Sequence, residues 1–189
     1  MGRNFFFISG MSRSGSTLID KFLSGHHSLN ILSQPFPLLF VNLKKEFYKT
    51  INYLEDYYFL NNYFLEDKYE IDELSEFLST HHVSNDLLLN IFEDMKDYSG
   101  QYTKLDEVID MIKGVDGSLL NIYKELIEKM SSGNEVILGS KEVMCEEFMP
   151  FFIKNGVRCL IVLRDPRDVM SYILWYGKRI YWLFTASSF

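Results

Sequence analysis

Apolar residues fall in short continuous blocks at the two ends of the chain and at helical spacing between them. Phe5-Phe6-Phe7-Ile8-Ser9 is nearly continuous and stops at Gly10, the pattern of a strand buried on both faces. The glycine-bearing stretch Met11–Thr17 follows. Leu18, Ile19, Phe22 and Leu23 then fall on one side of a helix that Gly25 stops. Pro35 and Pro37 break the chain before the apolar segment Leu38–Val41. From about 44 to 130 the spacing predicts helices joined by loops, over Ile71–Leu78, Asp86–Met95, Leu105–Ile112 and Leu119–Met130. Glu135–Gly139 reads as a second strand running into Ser140-Lys141. Glu146–Lys154 reads as a helix stopped by Asn155-Gly156, and Val157–Leu163 as a third strand. Asp165 is placed to cap a last helix, with Pro166 as its first residue and Gly177 as its stop. Strand–loop–helix units around a helical insert predict an α/β fold, a mostly parallel sheet with flanking helices. The expected organisation is one domain over residues 1–189, with 44–130 as the insert.

Composition narrows the class. A chain of 189 residues with 47% hydrophobic and 24% charged positions can bury a sizeable core and is not a disordered sequence. Two cysteines, Cys145 and Cys159, lie near or inside apolar stretches; this excludes a disulfide-stapled scaffold and predicts buried free thiols. No run approaches the ~20 apolar residues of a membrane span. Arg13 and the polar residues after it make Met1–Met11 a poor signal peptide, so a soluble cytoplasmic protein with no membrane partner is expected. The formal net charge of −7 argues against a nucleic-acid partner. Its distribution is more informative. Residues 51–130 carry 18 acidic and 6 basic side chains, whereas the flanks carry 8 acidic and 13 basic. The insert reads as a solvated acidic face, and the flanks suit an anion.

The flanking arginines fall beside strands and glycines. Gly10-Met11-Ser12-Arg13-Ser14-Gly15-Ser16-Thr17 joins the first strand to a helix N-terminus, where backbone N–H groups and the helix dipole favour an anion. The Gly-x4-Gly spacing is that of a P-loop, but Ser16 stands where an ATPase or kinase needs lysine, and the positive charge is at Arg13. No clear acid follows a buried strand to hold Mg²⁺, which disfavours a nucleotide kinase or other P-loop NTPase. The plainer alternative is a strand–turn–helix corner with incidental serines.

Phe7–Leu18 resembles the 5′-phosphosulfate-binding loop of sulfotransferases that use 3′-phosphoadenosine-5′-phosphosulfate (PAPS). Leu160–Val169, with Arg164-Asp165-Pro166-Arg167 at its centre, is similar to that family's second signature. The resemblance covers 1–50 and 133–178, and implies a P-loop-like sulfotransferase architecture. It implies that Arg13 stabilises the charge shared by the transferring sulfuryl group and the leaving phosphate. Ser12, Ser14, Gly15, Ser16 and Thr17 would cradle the 5′-phosphosulfate, and Arg164 would bind the 3′-phosphate. The serine partner of that arginine is Ser171, one residue before the family's position, which Tyr172 occupies here. Arg167 is read as structural. Lys141, at the end of the central strand, corresponds to a lysine beside the transferring group.

The same resemblance implies transfer to a hydroxyl or amine of a small-molecule or glycan acceptor, with the aromatic insert shaping its pocket and no metal required. The family's general base has no clear counterpart. Gln34 stands in the place of a glutamate and Val143 in that of a histidine; Glu142, His26 and His27 remain candidates. Members commonly run further beyond the second motif than Gly177–Phe189, so an architecture short at its end is expected, either completed by a partner or a homo-oligomer, or kept as a noncatalytic nucleotide-binding module.

Overall fold

The computed structural model describes residues 4–53, 69–98, 105–131 and 136–169. The first strand, β1 (Asn4–Gly10), carries the phenylalanine run and lies in the interior of a parallel sheet. Helix α1 (Ser16–Ser24) and strand β2 (Leu29–Ser33) follow, then α2 (Pro37–Thr50) and α3 (Ile71–Thr80). Next come β3 (His82–Val83), α4 (Asn85–Tyr98), α5 (Leu105–Ile112), β4 (Gly117–Ser118) and α6 (Leu119–Met130). Strand β5 (Ile137–Val143), a 3-10 turn over Glu146–Phe148, α7 (Met149–Lys154) and β6 (Arg158–Val162) complete the described elements. The main sheet has the order β2-β5-β1-β6, every neighbouring pair parallel, while β3 and β4 form a small antiparallel pair. This is an α/β fold with a four-stranded parallel sheet flanked by helices, as the patterning predicts.

Several elements differ from the sequence expectation, among them the short β3–β4 pair inside the stretch read as helices and loops. Strand β2 was not anticipated: five residues with Asn30 in their midst give little periodicity, and pairing with β5 supplies what the local pattern lacks. Strand β5 continues through Val143, so Lys141 and Glu142 lie within it. Leu38–Val41 opens a 14-residue helix that starts at Pro37, so the helical layer begins before residue 44.

The two sheet faces have different chemistry. On one, Phe7 stacks on Phe152 of α7 with ring centroids 4.5 Å apart, and Phe36, Phe40 and Tyr123 close around them. On the other, Ile8 and Ile31 are buried outside that cluster, against α1. Tyr123 ties the aromatic layer to the sheet. Its hydroxyl donates to the Phe6 carbonyl at 2.7 Å and accepts from the Ser140 N–H at 3.1 Å, bridging β1 and β5. The strands approach closely here, since a Cβ on Gly139 would lie 2.1 Å from the Phe6 carbonyl oxygen. Below the sheet, Lys44 of α2 pairs with Glu147 at 2.6 Å and Tyr69 donates to the same carboxylate at 2.7 Å, pinning the helical layer to the turn after β5.

Tyr123→Phe keeps the ring but removes the bridge, leaving buried backbone groups short of a partner. A loss of about 1–3 kcal/mol is expected, read as a lowered urea midpoint. An unchanged midpoint would show that the hydroxyl contributes nothing to joining the strands.

Candidate functional site

Chain order puts a topological switch point at the C-terminal ends of β1 and β5. From β1 the chain crosses through α1 on one face, and from β5 it crosses through α7 on the other. Adjacent parallel strands whose connections leave in opposite directions open a ligand cleft at their carboxyl ends. The Gly10–Thr17 loop starts at that point.

The loop is built by left-handed backbone. Arg13 has φ 66° and Gly15 has φ 97°, a conformation that forms concave runs of N–H groups suited to anions. No atom would contact a Cβ on Gly15, so its backbone angle alone calls for glycine there. Gly10 is needed for space: a Cβ would lie 2.6 Å from the Val162 carbonyl and 2.8 Å from Ser14 Oγ. The loop thus packs directly on the end of β6. The Ser14 N–H donates to the Met11 carbonyl at 3.0 Å, and Gly15 caps α1 by accepting from Leu18 and Ile19. The N–H groups of Ser16 and Thr17 lie in the first turn, which has no intrahelical acceptors for them. Ser14 Oγ is buried and has no hydrogen-bond partner. Ser12, Arg13 and Thr17 are exposed.

Two sequence-predicted cations belong to the strands on either side of β1 or to their ends. Arg164, just past β6, donates through Nη1 to the Arg13 carbonyl at 3.4 Å. Lys141 of β5 is 1% exposed; its Nζ lies 3.5 Å from Asp20 Oδ2 and 3.4 Å from Gln34 Oε1. Gln34 sits in left-handed backbone, φ 50°, and its N–H donates to the Lys141 carbonyl at 2.7 Å. Arg13, Arg164 and Lys141 therefore come from three adjacent strands or their ends. Asp165 caps the helical turn at 166–169 by accepting from the Arg167 N–H at 2.8 Å, and it also pairs with the Arg167 guanidinium at 2.6 Å. This agrees with a structural Arg167. Ser171, Tyr172 and Gly177 lie outside the described residues.

Sequence reasoning missed Asp20. The pattern gathers Leu18, Ile19, Phe22 and Leu23 on one side; Ile19 and Leu23 are half-buried, but Leu18 is 73% and Phe22 79% exposed, while Ser16 and Asp20 are buried. The readable signal was the single lysine in the β5 run: a buried cation calls for an anion on the helix covering it.

Of the candidate bases, Glu142 lies on the aromatic face, opposite Lys141. It is buried, its Oε1 accepts from the Phe36 N–H at 3.0 Å, and its Oε2 has no hydrogen-bond partner. Burial pushes its carboxyl up to about 8, against the opposing pull of the Phe36 N–H and Lys141, so at neutral pH it is mostly protonated. His26 and His27 stack on each other at the surface, and His26 Nδ1 accepts from the Ser28 N–H, as in a loop turn. Among the described residues no group of three His, Cys, Asp or Glu side chains could hold a metal ion, and no helix is long and apolar enough to cross a membrane. No protein-family model matches the chain, and no curated protein matches it.

Glu142 gives a pH prediction with a definite sign. Its carboxyl titrates higher in the folded chain, so the folded state binds the extra proton, and stability falls as pH rises between about 4.5 and about 8. The slope from one group is at most about 1.4 kcal/mol per pH unit. Glu142→Gln removes it. The variant should gain in Tm over the parent by several degrees on going from pH 5 to pH 8.5, at roughly 2–4 °C per kcal/mol. Parallel Tm profiles for the two proteins would refute the assignment.

Proposed function

We propose that the chain is a PAPS-dependent sulfotransferase of P-loop-like architecture. The observation that carries the reading is the loop after β1: left-handed backbone at Arg13 and Gly15, a buried unpartnered Ser14 hydroxyl, and Arg164 reaching the loop from β6. Ser16 in place of a P-loop lysine, with the cation moved to Arg13, favours phosphosulfate over ATP.

In this reading Ser12, Ser14, Gly15, Ser16 and Thr17 hold the 5′-phosphosulfate through first-turn N–H groups and hydroxyls. Arg164, with Ser171, takes the 3′-phosphate. An acceptor hydroxyl or amine attacks sulfur in line, the bond from sulfur to the 5′-phosphate oxygen breaks, and 3′,5′-adenosine bisphosphate leaves. The acceptor's proton is lost to solvent or a base. Negative charge grows on the leaving oxygen, and Arg13 and Lys141 stabilise it. Such a transfer asks for positioning and electrostatic stabilisation more than covalent participation.

A second reading, a noncatalytic nucleotide-binding module, is favoured by Gln34. It occupies the place the family resemblance reserves for a base and is instead engaged with Lys141. Turnover separates the two readings.

Calorimetric titration with 3′,5′-adenosine bisphosphate, with ATP·Mg²⁺ as control, tests the site. Selective binding of the bisphosphate is expected; equal binding of ATP·Mg²⁺, or none of either, would refute the proposal. Arg164→Ala should weaken the bisphosphate by roughly tenfold to a hundredfold, as for a lost charged hydrogen bond. It should leave adenosine 5′-phosphosulfate, which lacks the 3′-phosphate, nearly unchanged. Arg13→Ala should lower turnover by about 10²–10³-fold with a smaller effect on nucleotide affinity. Wild-type turnover in that variant would remove Arg13 from the transfer step.

A further inference from the structure

Helix α1 is rotated partly off its own apolar stripe, with Ile19 and Leu23 half-buried beside Ser16 and Asp20. Leu18 and Phe22 face outward, and Ser16 and Asp20, one turn apart, face the sheet. Each large apolar side chain left in water forgoes burial that hydrophobic transfer would favour. On the inward face the helix instead presents Asp20 to Lys141.

The contact geometry is that of a guide. A charge-assisted N–H···O bond closes to about 2.7–2.9 Å, but Lys141 Nζ lies 3.5 Å from Asp20 Oδ2 and 3.4 Å from Gln34 Oε1. The ammonium is held between two acceptors without a short bond to either, and a lysine carries three donors. Asp20 Oδ2 is buried and makes no hydrogen bond. Lys141 pairs in register with Ile8, two residues before Gly10, while Asp20 lies one helical turn inside the helix that the loop opens. Lys141 thus stands on β5 level with a point on β1 two residues short of the loop, and its counter-charge stands one turn into the helix that the loop opens.

We propose that Asp20, assisted by Gln34, is the positioning residue of Lys141. Its carboxylate keeps the buried Lys141 side chain directed toward the sulfuryl group of a ligand in the Gly10–Thr17 loop, without touching that ligand. This rests on the sulfotransferase reading. It makes Asp20 part of how the site tells PAPS, which carries the sulfuryl group, from 3′,5′-adenosine bisphosphate, which does not.

The test is a double-mutant cycle read by calorimetry with PAPS and with 3′,5′-adenosine bisphosphate, on the full chain without acceptor. Asp20→Asn is isosteric and should weaken PAPS by about tenfold, the scale of one charged hydrogen bond, while the bisphosphate changes by less than about threefold. Lys141→Met should do the same. The double variant should be no weaker for PAPS than Lys141→Met alone, because Asp20 acts only through the lysine. Should Asp20→Asn fail to fold, Asp20→Glu, which keeps the charge but moves it, takes its place: selective weakening of PAPS supports the positioning role, and unchanged or equally changed affinity for the two ligands overturns it. Equal weakening of both ligands by Asp20→Asn, or a further loss in the double variant, would overturn the positioning role while the function stands. Wild-type protein that binds neither ligand would overturn the sulfotransferase reading and this inference with it.

Discussion

A lysine ammonium inside a parallel sheet has to be answered by a charge, because a lone buried cation is far costlier than a paired one. Lys141 sits in β5, an interior strand, with its side chain on the face covered by α1. Asp20 answers it, and that pairing is reflected in the turn of the helix about its axis. The helix orientation in turn fixes where its first turn stands, and so where Gly15, Ser16 and Thr17 present their N–H groups. Loop, helix and cation form one arrangement rather than three separate features.

The opposite face makes that arrangement rigid. Phe7 belongs to the strand that ends in Gly10, and its ring stacks on Phe152 and packs against Phe40 and Tyr123. The hydroxyl of Tyr123 bridges the backbones of β1 and β5, the strands that carry the loop and Lys141. Aromatic packing of this kind excludes water and fixes ring geometry, so the strand that leads into the loop is held firmly from below. The close contact of Gly10 with Val162 and Ser14 then brings the loop to the end of β6, where Arg164 begins its reach.

Much of this was legible in local pattern. The strand at Phe5–Ser9, the glycine loop, the helix stop at Gly25 and the strand before Arg164 are all marked by residues whose backbone or burial preferences act locally. Other features depend on tertiary partners. Strand β2 exists because β5 offers it an edge. Strand β5 extends through Lys141 and Glu142 because the cleft end of a parallel sheet accepts polar residues where helices and loops supply partners. The inward turn of Asp20 could not be seen from periodicity, since the apolar stripe of α1 is centred nearer Leu18 and Phe22, which the fold leaves exposed, and only Ile19 and Leu23 of it are half-buried. That offset is where local and global preferences conflict.

The acids near the cleft limit what the site can do with a proton. Asp20 is committed to Lys141. Glu142 faces the other side of the sheet, holds the Phe36 N–H, and keeps its proton at neutral pH because burial disfavours the charge. Gln34 accepts no proton and is tied to Lys141 through both backbone and side chain. By contrast Arg13 lies in the loop after β1, Arg164 just past β6 and Lys141 in β5, so the three cations come from three adjacent strands or their ends. The balance of the site is therefore electrostatic. Under the proposed function, it suits a transfer whose difficulty is charge building on a leaving oxygen more than one that depends on early removal of a proton.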